Sequence, residues 1–112
     1  MDDSFGISEA IGDRAAVITV DGEIDIATAP RLREQLHASL TRGTEVVVVD
    51  LLGVTFIDST ALGALIGGLR ACRESGISLR LVIADPRILK VFEITGLDTV
   101  FSVMPTLEDA IR

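Results

Sequence analysis

The segment from Val46 to Gly68, VVVVDLLGVTFIDSTALGALIGG, contains the transition that decides the fold. Its run of four valines predicts a strand that is buried on both faces and that extends to Ile57. The next three residues, Asp58, Ser59 and Thr60, are all good helix-capping residues. The apolar residues that follow recur at helical spacing: Leu62, Leu65, Ile66 and Leu69. The segment is therefore predicted to pass from a buried strand directly into a helix.

The predicted helix has two different faces. A helical wheel places small or polar residues together on one face: Ser59, Gly63, Gly67, Arg70 and Glu74. The apolar residues cluster on another side: Leu62, Leu65, Ile66, Leu69 and Cys72. A glycine inside a helix costs about 1 kcal/mol relative to alanine, so two glycines on one face need a reason. Either another surface approaches closely there, or the glycines let the helix lie close to the sheet beneath it.

Ser59 is predicted to lie at the N-terminus of this helix. Free backbone N–H groups and the positive end of the helix dipole favour an anion at such a position. The position therefore suits a hydroxyl that accepts a phosphate. Serine and aspartate at a helix start are, however, more often plain capping residues than regulated sites. The spacing alone leaves both interpretations open.

Three segments together resemble a known family. The run FIDSTALGAL, the preceding VDGEID at 20–25 and the later ITGLDTVF at 94–101 are similar to those of the STAS family of anti-sigma factor antagonists. The similarity covers nearly the whole chain. In that family the serine after the aspartate of a D-S-[ST]-G-L-G run is phosphorylated, and here that serine is Ser59. Ala61 stands where the family most often has glycine, a mild change that is compatible with a helix.

The resemblance implies a protein-interaction switch. The unphosphorylated form is expected to bind an anti-sigma factor that is itself a serine kinase, and so to release a sigma factor for transcription. Phosphorylation of Ser59 ends the binding, and a serine phosphatase of the PP2C type is expected to reset it. The implied partner-binding residues are Glu23, Asp25, Thr28, Asp58, Ser59, Thr60, Gly63 and Gly67. The alternative within the family is a scaffold or ligand-sensing module without a phosphorylation cycle.

Length and composition limit the other classes of function. The chain has 112 residues, 48% of them hydrophobic, which predicts one domain (1–112) with one sizeable core. Its 17 acidic and 10 basic residues give a net charge of -7, which disfavours binding to nucleic acid or to anionic membranes. No apolar run is long enough to span a bilayer and the first residues are acidic, so a cytoplasmic protein is expected. The single cysteine, Cys72, is predicted to be a small core residue.

An enzymatic role is not expected. A serine at a strand-to-helix turn is also how some hydrolases present their nucleophile, but that motif has glycines two residues to either side. Here those positions hold Ile57 and Ala61, and the only histidine, His37, precedes the serine. The sequence has no phosphate-binding glycine loop with its lysine and no metal-ligand spacing. No cofactor and no metal are therefore predicted.

The remaining segments define the fold class. An edge strand at 4–9, a second strand at 15–20 that ends in a turn or bulge, and a helix that Thr28 can cap and that ends near Arg42 precede the central strand. A strand at 79–83, a short helix from Asp85 to Gly96, a strand at 99–103 and a terminal helix at 107–112 follow the central helix. The order ββαβαβαβα predicts an α/β (α+β) domain with a mixed, mainly parallel sheet. The resemblance adds that the helices pack on one side of that sheet.

Overall fold

The valine-rich segment forms the central strand of the sheet. A computed structural model describes residues 5–112, and in it this strand, β3, spans Val46–Ile57. Val47 and Val49 face the main core, while Val46 and Val48 face a smaller cluster on the opposite side of the sheet. All four valines are at most 1% exposed. The prediction of burial on both faces is therefore confirmed for the valine run, whereas four residues in the second half of β3 are exposed: Leu52, Gly53, Thr55 and Phe56.

The other elements follow the predicted order. The strands are β1 (Phe5–Ile11), β2 (Ala15–Ile24), β4 (Ser78–Val82) and β5 (Ser102–Met104). The helices are α1 (Ala29–Ser39), α2 (Ser59–Glu74), α3 (Pro86–Thr95) and α4 (Leu107–Ile111), with a 3-10 turn at Leu97–Thr99. The strands lie in the order β1-β2-β3-β4-β5; β1 is antiparallel to β2, and the other neighbours are parallel. This is the mixed α/β domain that the sequence predicts.

The helices occupy both faces of the sheet. Buried residues of α1, α2 and α3 belong to the main core, as expected for helices packed on one side. The expectation is wrong for α4, because Ala110 packs with Val46, Val48 and Val82 on the opposite face. Since β3 carries apolar residues on both faces, the second face also needs a cover. Arg80 fixes this cover by donating hydrogen bonds from its Nη1 to the carbonyl oxygens of Ala110 and Arg112, at 2.9 and 2.7 Å.

Two predicted strand boundaries need correction. The residues predicted to start the last strand at 99 are part of the 3-10 turn, and β5 begins only at Ser102. Gly96, with a φ of 75°, ends α3 in the left-handed region, and Phe101 then packs edge-to-face against Phe92, so the chain turns before it extends. The strand predicted at 15–20 continues to Ile24 through two register irregularities. The predicted start of β1 at residue 4 lies outside the described residues.

Residues 5–112 contain no helix of the length and apolar character that crossing a membrane requires.

Cys72 is a core residue, as predicted. Its side chain is 1% exposed within the main core. Burial raises the pKa of its thiol to about 11, because the thiolate is poorly solvated there. The thiol is therefore protonated and unreactive at neutral pH.

A polar network attaches the edge strand β1 to α1. The fully buried hydroxyl of Ser39 donates to the Glu9 carboxylate at 2.6 Å and accepts a hydrogen bond from the Gln35 amide at 3.1 Å. Arg42 pairs with the same carboxylate at 2.9 Å. The hydrogen bond and charge of Arg42 lower the pKa of Glu9, because both favour its ionised form. The ionised Glu9 carboxylate of the edge strand β1 is thus the centre of a network that includes Gln35 and Ser39 of α1 and Arg42 in the turn that follows.

We predict that this network makes stability depend on pH. A lowered folded-state pKa means that Glu9 contributes its full stabilisation above its ordinary pKa of 4.5, and that this contribution is lost as the pH falls through the folded-state pKa. Glu9→Gln should lower the free energy of unfolding in urea at pH 7, and the difference from wild type should shrink in acid. Glu45→Gln, at the exposed Arg14–Glu45 pair, is the control and should have little effect at either pH. An equal loss in both variants would contradict the assignment.

Candidate functional site

The site lies at the edge of the sheet that is formed by the carboxyl ends of its parallel strands, where β2 and β3 end. The last residues of the two strands, Ile24 and Ile57, are paired in register. The backbone N–H of Asp58 also donates to the carbonyl oxygen of Ile24 at 3.3 Å. The segments that leave the two strands, from Asp25 and from Asp58, are therefore adjacent. The resemblance predicted partner-binding residues in both segments, and the pairing brings them to one edge.

Asp58 caps α2. Its backbone is extended (φ -116°, ψ -174°), and its Oδ1 accepts a hydrogen bond from the N–H of Ala61 at 3.0 Å. Ser59 is consequently the first residue of the helix, and its side chain is exposed. Thr60 follows it and is partly buried. The N–H groups of these first helical residues have no acceptor in a preceding turn, so they are available to an anion held above Ser59.

Hydrogen bonds within the loop fix the conformation of residues 23–28. Oδ1 of Asp25 accepts hydrogen bonds from the N–H groups of Ala27 and Thr28, at 2.9 and 3.1 Å. The Thr28 hydroxyl donates to the carbonyl oxygen of Glu23 and accepts from the N–H of Asp25, both at 2.9 Å. Thr28 occupies the N-cap position of α1, as predicted, but its hydroxyl makes no capping hydrogen bond because it is used inside the loop. Asp25 therefore stabilises the turn through one of its two carboxylate oxygens, Oδ1.

The sequence did not point to an exposed apolar side chain on this loop. Ile26 is 76% exposed, although it lies between two residues that are held by hydrogen bonds. The one signal in the sequence that could have indicated Ile26 is an apolar residue inside a turn whose other residues form hydrogen bonds.

The structure also corrects the prediction for Ile66. This residue was grouped with the apolar core side of α2, but it is 36% exposed and lies at the boundary between the two faces of the helix.

The glycines of α2 divide between the two explanations that their sequence allowed. At Gly63 and Gly67 an added Cβ would meet no atom within 4 Å, so these residues leave the exposed face bare. At Gly68 an added Cβ would lie 2.8 Å from Cδ1 of Leu36, so this glycine lets α1 and α2 pack closely. The face that runs from Ser59 through Gly63 to Gly67 is exposed throughout, and we call it the glycine face. Ala61, where the family most often has glycine, is fully buried and lies away from this face.

The electrostatic character of the site is acidic. Glu23, Asp25 and Asp58 all lie at this edge, and none of them pairs with a basic side chain within residues 5–112. In the same part of the chain, no three His, Cys, Asp or Glu side chains are placed to hold a metal ion. His37, the only histidine, is exposed on α1. This edge therefore brings three carboxylates together with the exposed hydroxyl of Ser59.

The structure is a single mixed-sheet domain whose helix α2 presents the exposed hydroxyl of Ser59 beside an acidic loop held by hydrogen bonds. The family model of the STAS domain matches residues 8–110, and the chain belongs to the STAS domain family. An anti-sigma-B factor antagonist of Staphylococcus aureus (strain NCTC 8325 / PS 47) is 34% identical over 100 residues, which are 89% of this chain and 93% of the relative.

Solved structures agree with this assignment. The crystal structure of an anti-sigma factor antagonist from Mycobacterium paratuberculosis has a TM-score of 0.80 and 32% identity, covering 98% of this chain and 93% of its own. The structure of the Bacillus cell fate determinant SpoIIAA in its phosphorylated form has a TM-score of 0.70 and 23% identity, covering 96% of each chain. The second likeness is one of fold alone.

We predict that the glycine face is maintained at a cost to stability. Gly63→Ala and Gly67→Ala should each raise the free energy of unfolding by about 0.5–1 kcal/mol, because alanine favours the helix and its methyl group meets nothing. Gly68→Ala is the matched control and should lower it, because the methyl group must displace the buried Leu36 side chain. Urea unfolding of the three variants tests this. Destabilisation by Gly63→Ala would mean that this position belongs to the packed interior.

Proposed function

We propose that this protein is an anti-sigma factor antagonist whose binding is switched by phosphorylation of Ser59. The observation that carries the proposal is the exposure of the Ser59 hydroxyl at the first position of α2, next to a bare helical face. In its unphosphorylated form the protein binds an anti-sigma factor that is a serine kinase, and the sigma factor is released. Family membership and the names of the relatives support the class of partner.

The docking surface consists of the glycine face together with the loop from Glu23 to Thr28. The bare glycine face admits the backbone of a partner within van der Waals distance of α2. The hydrogen bonds of Asp25 and Thr28 hold the loop before the partner arrives, so little conformational entropy is lost on binding. Ile26 supplies an apolar contact from this ordered loop, which is the type of side chain that contributes strongly when it fills a pocket.

Phosphorylation adds about -1.5 to -2 charges and three acceptor oxygens at Ser59. In the free protein, the N-terminus of α2 and the solvent accommodate this charge, so the fold is retained. In the complex, the phosphate must lose its hydration at a closed interface beside the Asp58 and Asp25 carboxylates. A loss of about 3 to 4 kcal/mol on this account weakens a complex several hundredfold. The switch then needs no large conformational change.

The chemistry of the switch defines the other partners. A serine kinase activity must deliver the phosphate, which we assign to the anti-sigma factor, and a serine phosphatase of the PP2C type removes it. The existence of a phosphorylated form of a protein with the same fold supports such a cycle. The acidic surface at this edge also opposes contact with nucleic acid or with anionic lipid. We expect the cycle to take place in the cytoplasm.

We predict that Ser59→Ala binds the anti-sigma factor as wild type does and cannot be switched off. Ser59→Asp and the phosphorylated wild type should bind at least about a hundredfold more weakly, because each places a negative charge at the interface. Incubation with ATP and the anti-sigma kinase, followed by intact mass and titration calorimetry, measures both effects. One added phosphate on wild type and none on Ser59→Ala is the expected result. Full affinity of the phosphorylated protein would instead favour the scaffold or ligand-sensing alternative.

We further predict that Gly63→Leu blocks binding without unfolding the protein. The leucine side chain projects from a position where an added Cβ meets no atom of the domain, so its cost falls on the complex. Ile26→Ala should weaken the same complex by about tenfold or more, since an apolar anchor loses its contact. The thermal unfolding midpoint of each variant is measured together with its affinity. A midpoint close to that of wild type shows that a loss of affinity is due to docking and not to unfolding. Unchanged affinity in Gly63→Leu would place the interface elsewhere.

A further inference from the structure

A groove lies along the C-terminal half of α2, beyond the glycine face. It has a volume of about 250 Å³, and its lining residues are Ile66, Leu69, Arg70, Arg73, Glu74 and Val100. A second groove of about 210 Å³ adjoins it, shares Leu69, Arg73 and Val100 with it, and reaches Ser102 of the edge strand β5. We call the two together the α2–β5 groove. It is a continuous depression between a helix and the edge of the sheet.

The floor of the α2–β5 groove is apolar. Ile66 is 36% and Val100 is 43% exposed, and the buried Leu69 contributes to the same lining. Packing of the core does not account for an apolar residue at position 66, because the neighbouring Leu65 is the residue that is buried in the core, at 0% exposure. Clustered apolar side chains that remain in contact with water mark sites of interaction.

The walls of this groove carry cations that have no partner in the part of the chain the structure describes. Arg70 and Arg73 are exposed, and neither lies within 4.0 Å of a carboxylate of residues 5–112. Glu74 lines the same groove one turn after Arg70, yet the two side chains are not paired. Of the seven other arginines, four are paired with carboxylates (Arg14, Arg42, Arg87 and Arg112), Arg80 donates to backbone carbonyls and Arg31 lies over the Phe5 ring. In a chain with a net charge of -7, this is a local excess of positive charge beside exposed apolar atoms.

We propose that the α2–β5 groove binds an acidic amphipathic segment of a protein partner. An apolar side chain of that segment fills the space between Ile66 and Val100, and its carboxylates pair with Arg70 and Arg73. Arginine is suited to this because its planar guanidinium binds a carboxylate through two hydrogen bonds. The proposal rests on the proposed function only for the identity of the partner, as a protein that docks on α2. The recognition chemistry of the groove is independent of it.

The groove lies outside the reach of the Ser59 switch. Arg70 follows Ser59 by eleven residues, which corresponds to about 17 Å along the helix axis at 1.5 Å per residue. This separation is about twice the Debye length of about 8 Å at physiological ionic strength. A phosphate at Ser59 therefore changes the potential at Arg70 and Arg73 very little. The two regions therefore contribute additively to the free energy of partner binding. The phosphorylation state of Ser59 switches binding on or off, and the groove adds a constant contribution to the affinity.

The test uses the isotope-labelled full chain and a synthetic peptide of about four helical turns that repeats leucine and glutamate at helical spacing. Amide resonances of residues 66–74 and 100–102 should shift on titration. Arg73→Glu should weaken the binding by about tenfold or more, because it places a like charge against the peptide. Arg33→Glu is the matched control: it makes the same charge change at an exposed residue of α1 and should bind as wild type does. A peptide with lysine in place of glutamate should not bind.

The outcomes separate this proposal from its rivals. Shifts spread over other surfaces, equal affinity of Arg73→Glu and Arg33→Glu, or equal binding of the lysine peptide would each overturn it. Sedimentation of the peptide-free protein tests the other occupant; a dimer that Ile66→Glu dissociates would assign the groove to a second copy of this chain and overturn the proposal. Ser59→Asp should bind the peptide with wild-type affinity. A failed phosphorylation cycle therefore leaves this result unaffected, and the two proposals fail separately.

Discussion

The pairing of β3 on both of its edges is the constraint on which the rest of the structure depends. The first half of β3 is hydrogen-bonded to β2 and β4 and covered on both faces, and pairing with β2 and burial in the main core continue to Ile57, so the end of the strand is held in position. The helix that starts one residue later inherits that position. The hydrogen bond from Asp58 to Ile24 then sets the neighbouring loop beside it. A buried strand is thus what allows exposed residues at the site to be held in a defined arrangement.

The two aspartates at this edge both order the backbone, and both are half-buried. Asp58 accepts the N–H of Ala61 and begins α2, while Asp25 accepts two N–H groups and closes its own turn. Each carboxylate uses one oxygen for the backbone, and its charge remains at the surface. The acidic character of the site is therefore a consequence of how its loops are built. In the switch that we propose, a phosphate on Ser59 meets two charges that cannot move away without loss of these backbone hydrogen bonds.

Charge along α2 is arranged unevenly. Within residues 5–112, carboxylates without a basic partner lie around its N-terminus, and its own two arginines, Arg70 and Arg73, have no carboxylate partner and lie in its C-terminal half. The bare stretch at Gly63 and Gly67 separates these regions. Such a surface favours one orientation of a partner along the helix, because the reverse orientation places like charges together. In the function that we propose, the helix therefore contributes to specificity as well as to the switch.

The sequence by itself determined the order of elements, the mixed sheet, the doubly buried β3 and the position of Ser59 at the start of α2. These features follow from local patterns: β-branched runs, capping residues and helical spacing act within a few residues of the chain. Tertiary structure decided what those patterns leave open. The exposure of Ile26 and Ile66, the different surroundings of Gly63 and Gly68, and the place of α4 on the second face depend on which segments meet after folding. Two chemically identical glycines five residues apart differ because only one of them faces Leu36, and no local pattern carries that information.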